Sequence, residues 1–182
     1  GAEEPLADAG MSEALVFEDV QSGALDAFSF VLRRGEELCI VDPEGTRIAE
    51  IRALLAGERS LEAGRIAVNG KPFSVRNSWE ALDQDLAFIV ENPADTMLFP
   101  DFTAIDNLCF PSSRKARDFW INPVYRASCL REYSQYFEPG ALKRYPDELS
   151  AQDLLKLVYC RWHLFKPSVV VCVKPFSSID RN

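Results

Sequence analysis

The sequence has a single histidine, and its five cysteines contain no C-x-x-C pair. With so few soft ligands it argues against a structural metal site, and Cys–His catalysis would have to rest on His163 alone. No apolar run approaches the length that crosses a bilayer, and no signal peptide is visible. Positive charge is also scarce. Against 28 Asp and Glu there are 20 Lys and Arg, for a net charge of −8. That balance argues against a nucleic-acid interface and against an anionic membrane surface, both of which need clustered cations. There is no internal repeat, no low-complexity tract and no nucleophile elbow. What remains is 182 residues, 47% hydrophobic and 26% charged, which suits one globular domain with a core of its own. Cys39, Cys160 and Cys172 lie in apolar runs, which fits a reduced, cytosolic setting. Residues 1–13, opening GAEEPLADAG, read as a flexible acidic lead-in.

The chain centres on Leu38–Leu55, LCIVDPEGTRIAEIRALL. Glu37–Val41 reads as a short strand buried on both faces. Asp42-Pro43-Glu44-Gly45 fits a type I turn, Thr46 is placed to cap a helix, and Ile48, Ile51, Leu54 and Leu55 recur at helical spacing up to Gly57. This is the shape of a phosphate-binding loop with almost none of its chemistry. Before it, Ala14–Val20 and Ala27–Arg33 alternate as strands. After it, Asn69-Gly70 marks a hairpin between Arg65–Asn69 and Lys71–Val75. Ser78–Asp85 is a short helix and Leu86–Glu91 an apolar strand. Residues 111–146 are aromatic-rich and helical, with breaks at Pro111, Pro123 and Pro139-Gly140. Ser150–Phe165 is the clearest helix, opened by a Ser150/Asp153 capping box and stopped at Pro167. Ser168–Val173 reads as a buried strand. The order implies an α/β fold with a partly parallel sheet.

In this order the segments resemble an ATP-binding cassette (ABC) ATPase, above all the second cassette of ribose/galactose-type sugar importers. FSFVLRRGEELCIV resembles the strand entering the Walker A loop, and LLAGERSLEAGRIAVNGKPF the segment after its helix. LAFIVENPADTMLFPDFTAIDNL resembles the Q-loop stretch, LSAQDLLKLVYCRW the LSGGQ signature and its helix, and KPSVVVCVKPFSSID the Walker B and D-loop segment. The resemblance implies a P-loop NTPase-like α/β core with an antiparallel β subdomain and a helical subdomain inserted at about 103–148. It assigns residues 14–182 to that domain, truncated after the D-loop. It also implies ATP and Mg²⁺ as the family's ligands, a second cassette or self-association, and a membrane permease or a fused regulatory domain as partners. The place would be cytoplasmic, peripheral to the inner face of the membrane.

Carried over residue by residue, the site is degenerate. The specified Walker A positions fall on Asp42, Arg47, Ile48 and Ala49, and only Gly45, at an unspecified inner position, survives. Ile48 stands where Lys would reach the β/γ-phosphates, and Ala49 where Ser or Thr would hold Mg²⁺. Asp42 and Glu44 add carboxylates near the phosphates, each costing about 4 kcal/mol at close range, with Arg47 as a partial offset. Glu50 matches a Glu of the sugar-importer subfamily. Walker B's Asp and Glu become Val173 and Lys174, so a metal ligand is apolar and a base is a cation. Lys174 is either a point charge for phosphate or a surface lysine at a strand end. Ser150 is the signature serine or, more simply, an N-cap, and the signature glycines are Ala151 and Gln152. Glu91 is at the Q-loop position or is a solvated strand end, and Asp180 matches the D-loop Asp. Phe119, Trp120, Tyr125, Tyr133, Tyr136 and Phe137 form either a partner surface or a small helical core.

These losses together imply a non-hydrolysing pseudo-ATPase that serves as an interaction or regulatory module and needs no cofactor. Two alternatives stand beside it. One is a sugar-importer subunit that lends its signature helix to a partner's ATP site. The other is the sensory or dimerisation half of a transcriptional regulator.

Overall fold

The computed structural model describes residues 12–90, 97–118 and 120–173. The chain divides into two units, residues 1–86 and 87–182. In the first, β1 (Glu13–Ser22) is flanked by β2 (Leu25–Arg33) and by β3 (Ala63–Val68), both antiparallel to it, and β4 (Lys71–Pro72) extends the sheet. β1 therefore begins inside what the sequence suggests as lead-in. The register sets Leu15 opposite Leu32 and Val68, and Phe17 opposite Phe30 and Ile66. Such cross-strand apolar pairs stabilise a sheet by about 0.2–1 kcal/mol each. Phe17 stacks on Phe30 at 4.7 Å between ring centroids.

Left-handed residues shape this sheet at two places. Asn69 and Gly70 have φ of 51° and 74°, as a two-residue type I′ hairpin requires. Between Phe17 and Val20 the β1–β2 register shifts, and Asp19 bulges with φ 47°. Gly64 fits against that bulge because an added Cβ would stand 2.3 Å from the Asp19 carbonyl oxygen.

The expected strand Glu37–Val41 is not formed. Residues 36–42 are irregular, Leu38 and Cys39 are exposed, and Val41 is 70% exposed. Apolar composition makes a strand only where another strand supplies the ladder, and neither edge of the β2-β1-β3-β4 sheet takes this segment. Helix α1 (Thr46–Leu55) follows, with Ile51, Leu54 and Leu55 buried, and α2 (Ser78–Asp83) is capped by Asn77.

β5 (Leu86–Val90), all but its first residue in the second unit, pairs with β6 (Val169–Val173). Leu86–Ile89 are all buried, as a continuous apolar run suggests. β6 departs from expectation: only Val169 is buried, while Val170 and Cys172 are exposed, because a two-stranded sheet covers one face at most. Helices α3 (Ala104–Lys115), α4 (Pro123–Tyr133) and α5 (Ala151–Phe165) enclose a core that includes Ile105, Leu108, Cys129, Phe137 and Leu157. Pro111 does not break α3 as expected. It sits inside the helix, and its ring is fully buried, so packing offsets a ring clash and lost hydrogen bond worth about 3 kcal/mol. Pro123 instead starts α4 at its first helical position, where no N–H is missed. Trp162 of α5 donates its indole N–H to the Phe88 carbonyl at 2.7 Å, tying the helix to β5. Among the described residues no helix is long and apolar enough to cross a membrane.

Candidate functional site

The turn before α1 closes as its residue types require. Gly45 N–H donates to the Asp42 carbonyl at 3.0 Å, and Gly45 takes φ 72°, a left-handed position that glycine occupies without strain. Gly45, and not Thr46, is the N-cap. It has no side chain to offer, and Thr46 is already helical and makes no capping bond. The cap comes from further back. The Asp42 carboxylate, 8% exposed, accepts the Arg47 N–H at 2.7 Å and the Ile48 N–H at 3.2 Å.

This arrangement bears on what the loop can bind. The open amides of a helix N-terminus are its anion site. Here two of them hold the chain's own carboxylate. Asp42 is therefore more than a nearby carboxylate: it sits on donors that a phosphate at this helix N-terminus would use. Of the remaining positions, Ile48 is half-buried and carries no charge, Ala49 is exposed and has no ligand atom, and Arg47 is exposed, with no recorded ion pair among the described residues. The residues present do not fit an Mg-nucleotide.

Glu50, one turn along α1, is tied up in a different way. It is 7% exposed, accepts the Ser22 hydroxyl at 2.6 Å and lies 3.8 Å from the Arg59 guanidinium. A Cβ on Gly23 would come within 2.7 Å of its carboxylate, so this β1–β2 turn needs glycine to close over Glu50. The carboxylate fastens the helix to the sheet and is not presented to a ligand.

In the second unit Ser150 is an exposed N-cap whose hydroxyl accepts the Asp153 N–H at 3.1 Å. Ala151 and Gln152 are exposed, and Val173 ends β6 half-buried. Glu91, Lys174, Asp180 and Phe119 lie outside the described residues. The aromatics of the insertion divide: Tyr133 and Phe137 are core, whereas Trp120 is 85% and Tyr136 52% exposed. His163 lies on the last turn of α5 with its Nδ1 3.0 Å from the Tyr133 hydroxyl. Among the described residues no group of three or more His, Cys, Asp or Glu could hold a metal ion.

One polar residue that the sequence reading did not single out organises the loop entering α3. Asn107 is completely buried. It accepts the Phe99 N–H at 2.7 Å and donates to the carbonyls of Phe99, Phe102 and Thr103 at 3.0, 3.0 and 3.2 Å. A lone Asn in a helix start carries no periodic signal, so only the folded loop reveals it.

No family model matches the chain. It is 24% identical over 169 residues to the ribose import ATP-binding protein RbsA of Lactococcus lactis subsp. cremoris, covering 90% of this chain and 34% of that protein. It is 25% identical over 182 residues to ribose import ATP-binding protein RbsA 2 of Escherichia coli O157:H7, covering 94% and 34%. The chain thus spans about a third of the length of these relatives. Among solved structures it is similar to cbiO1 from Clostridium perfringens, part of the ABC transporter complex cbiONQ, with a TM-score of 0.65, 15% identity and coverage of 90% and 66%. It is also similar to the ADP- and Pi-bound dimer of the ATP-binding cassette MJ0796, with a TM-score of 0.66, 16% identity and coverage of 89% and 74%. The chain has the α/β P-loop fold of an ATP-binding cassette, and its sequence is similar to ribose import ATP-binding proteins.

Proposed function

We propose that this cassette no longer hydrolyses ATP and works as an interaction or regulatory module related to the ATP-binding subunits of sugar importers. The observation that carries the reading is the Asp42 carboxylate on the Arg47 and Ile48 amides. Losing a lysine alone weakens a phosphate site; filling its amides with a tethered anion closes it. Ile48 and Ala49 add the loss of the cation and the Mg²⁺ ligand, and Val173 the loss of the Walker B carboxylate. The partners this reading calls for are a second cassette, another copy of this chain, a permease or a fused regulatory domain, with the module cytoplasmic and peripheral to the inner face of the membrane. Titration calorimetry with Mg-ATP and with Mg-ADP, paired with a phosphate-release assay, tests it. Neither binding nor turnover is expected, and micromolar binding with turnover overturns it.

A second reading rests on Ser150. It is exposed at the start of a well-formed α5, so the helix can still be lent to a catalytic partner cassette. Ser150→Ala would then lower the ATPase rate of the mixed pair without changing that of the partner alone.

A further inference from the structure

The last turn of α4 and the two 3₁₀ turns Ser134–Tyr136 and Ala141–Lys143 border a cavity of 280 Å³. Its floor is apolar, built on the buried rings and branches of Phe137 and Leu142. Its rim carries two cations, Arg131 and Lys143, and one carboxylate, Glu138. Among the described residues neither cation has a recorded ion pair or side-chain hydrogen bond. Arg52, Arg65, Arg76 and Arg126 are matched with Glu58, Glu18, Glu80 and Asp106, whereas Arg131 and Lys143, like Arg47 before α1, are not. Two cations to one carboxylate give this rim a local excess of positive charge in a chain whose net charge is −8. The α4 dipole accounts for a cation at Arg131, in that helix's last turn. It does not account for Lys143, which ends a three-residue 3₁₀ turn with almost no dipole of its own.

We propose that this cavity receives an acidic peptide segment of a partner protein, with an apolar side chain on Phe137 and Leu142 and a neighbouring carboxylate between Arg131 and Lys143. Tyr136 stands exposed in the adjoining turn, a residue type enriched at protein interfaces. Glu138 sets the selectivity, because it leaves room for one added negative charge and opposes a second. The assignment rests on the interaction-module part of the proposed function and not on the loss of hydrolysis.

The test is a nitrogen-15 NMR titration of the full chain, without nucleotide, using the blocked peptide acetyl-Gly-Phe-Glu-Phe-Gly-amide. Its counterparts with Gln and with Lys at the centre, and sodium acetate, are the comparison arms. The glutamate peptide is expected to shift the amides of 130–143, and the glutamine peptide to bind about tenfold more weakly. The double variant Arg131→Glu, Lys143→Glu should prefer the lysine peptide, and since both positions are exposed its melting temperature should match the parent. Equal binding of the glutamate and glutamine peptides, the same shifts with acetate alone, unchanged affinity in the double variant, or no shift in 130–143 would each overturn the proposal. ATP calorimetry reads the hydrolysis question separately, so the two readings fail independently.

Discussion

Two loops in this protein each enter a helix, and each is held by one buried polar side chain, but the direction of the hold differs. Before α1 the loop supplies the group: Asp42 reaches forward onto the helix amides. Before α3 the helix supplies it: Asn107 reaches back onto the loop carbonyls and the Phe99 N–H. The first hold consumes the donors that would meet an anion, whereas the second consumes loop groups and leaves the α3 donors to a backbone partner, with Ala104 N–H on the Arg144 carbonyl at 2.8 Å. A carboxylate placed forward thus stabilises its helix and disables it as an anion site at once. A neutral amide placed backward only orders the loop.

The comparison breaks most sharply at Asn107. Asn107→Ala leaves several buried groups unpaired and should cost about 3 kcal/mol in chemical denaturation. A loss below about 1 kcal/mol would mean that the loop orders itself. Next comes Asp42→Ala, expected to cost about 1–2 kcal/mol from the lost cap and its dipole interaction, with Asp42→Asn keeping part through its amide oxygen. Neither variant should acquire Mg-ATP binding, because Ile48 and Ala49 still supply no cation and no metal ligand. Nucleotide binding by Asp42→Ala would show that the carboxylate alone blocks the site. Smaller again is Ser150→Ala, where an ordinary N-cap bonds one amide. About 1 kcal/mol should be lost there, and only a few tenths with Ser150→Gly.

Sequence reading reached the parts of this protein whose cause is local. The Asn69-Gly70 hairpin, the Asp42–Gly45 turn and the Ser150 cap each follow from residue types within a few positions. It failed where the cause is a neighbour distant in sequence. Glu37–Val41 has strand composition without a strand beside it. Gly64 looks like any strand glycine until the Asp19 bulge lies against it. Thr46 holds the customary capping place, so residue types alone do not reveal Asp42 as the cap. Ile48, Ala49 and Val173 are legible as departures from the cassette motifs in the residues alone, but the state of the α1 N-terminus is not. The helix amides there are either open or held by the chain itself, and only the position of the Asp42 side chain distinguishes the two.

The neutral side of the comparison extends to Tyr133, and there it becomes a pH effect. Burial raises the Tyr133 phenol from its ordinary 10 to about 12, and burial likewise raises Tyr125 to about 12. A phenol raised in the folded state favours folding in its neutral form. Its contribution is complete below the unfolded pKa near 10 and is lost as pH rises through about 12. The second unit should therefore loosen in alkali between those values. All five tyrosines lie beyond residue 86, so tyrosinate absorbance reports on that unit alone, without a signal from the Asp42 loop. Tyr133→Phe should flatten the alkaline loss of stability while lowering neutral-pH stability by less than about 1 kcal/mol, the worth of one hydrogen bond to His163. An unchanged alkaline slope in that variant would assign the effect to Tyr125. A slope unchanged in both single variants and in their combination would show that neutral burial is not what steadies this unit.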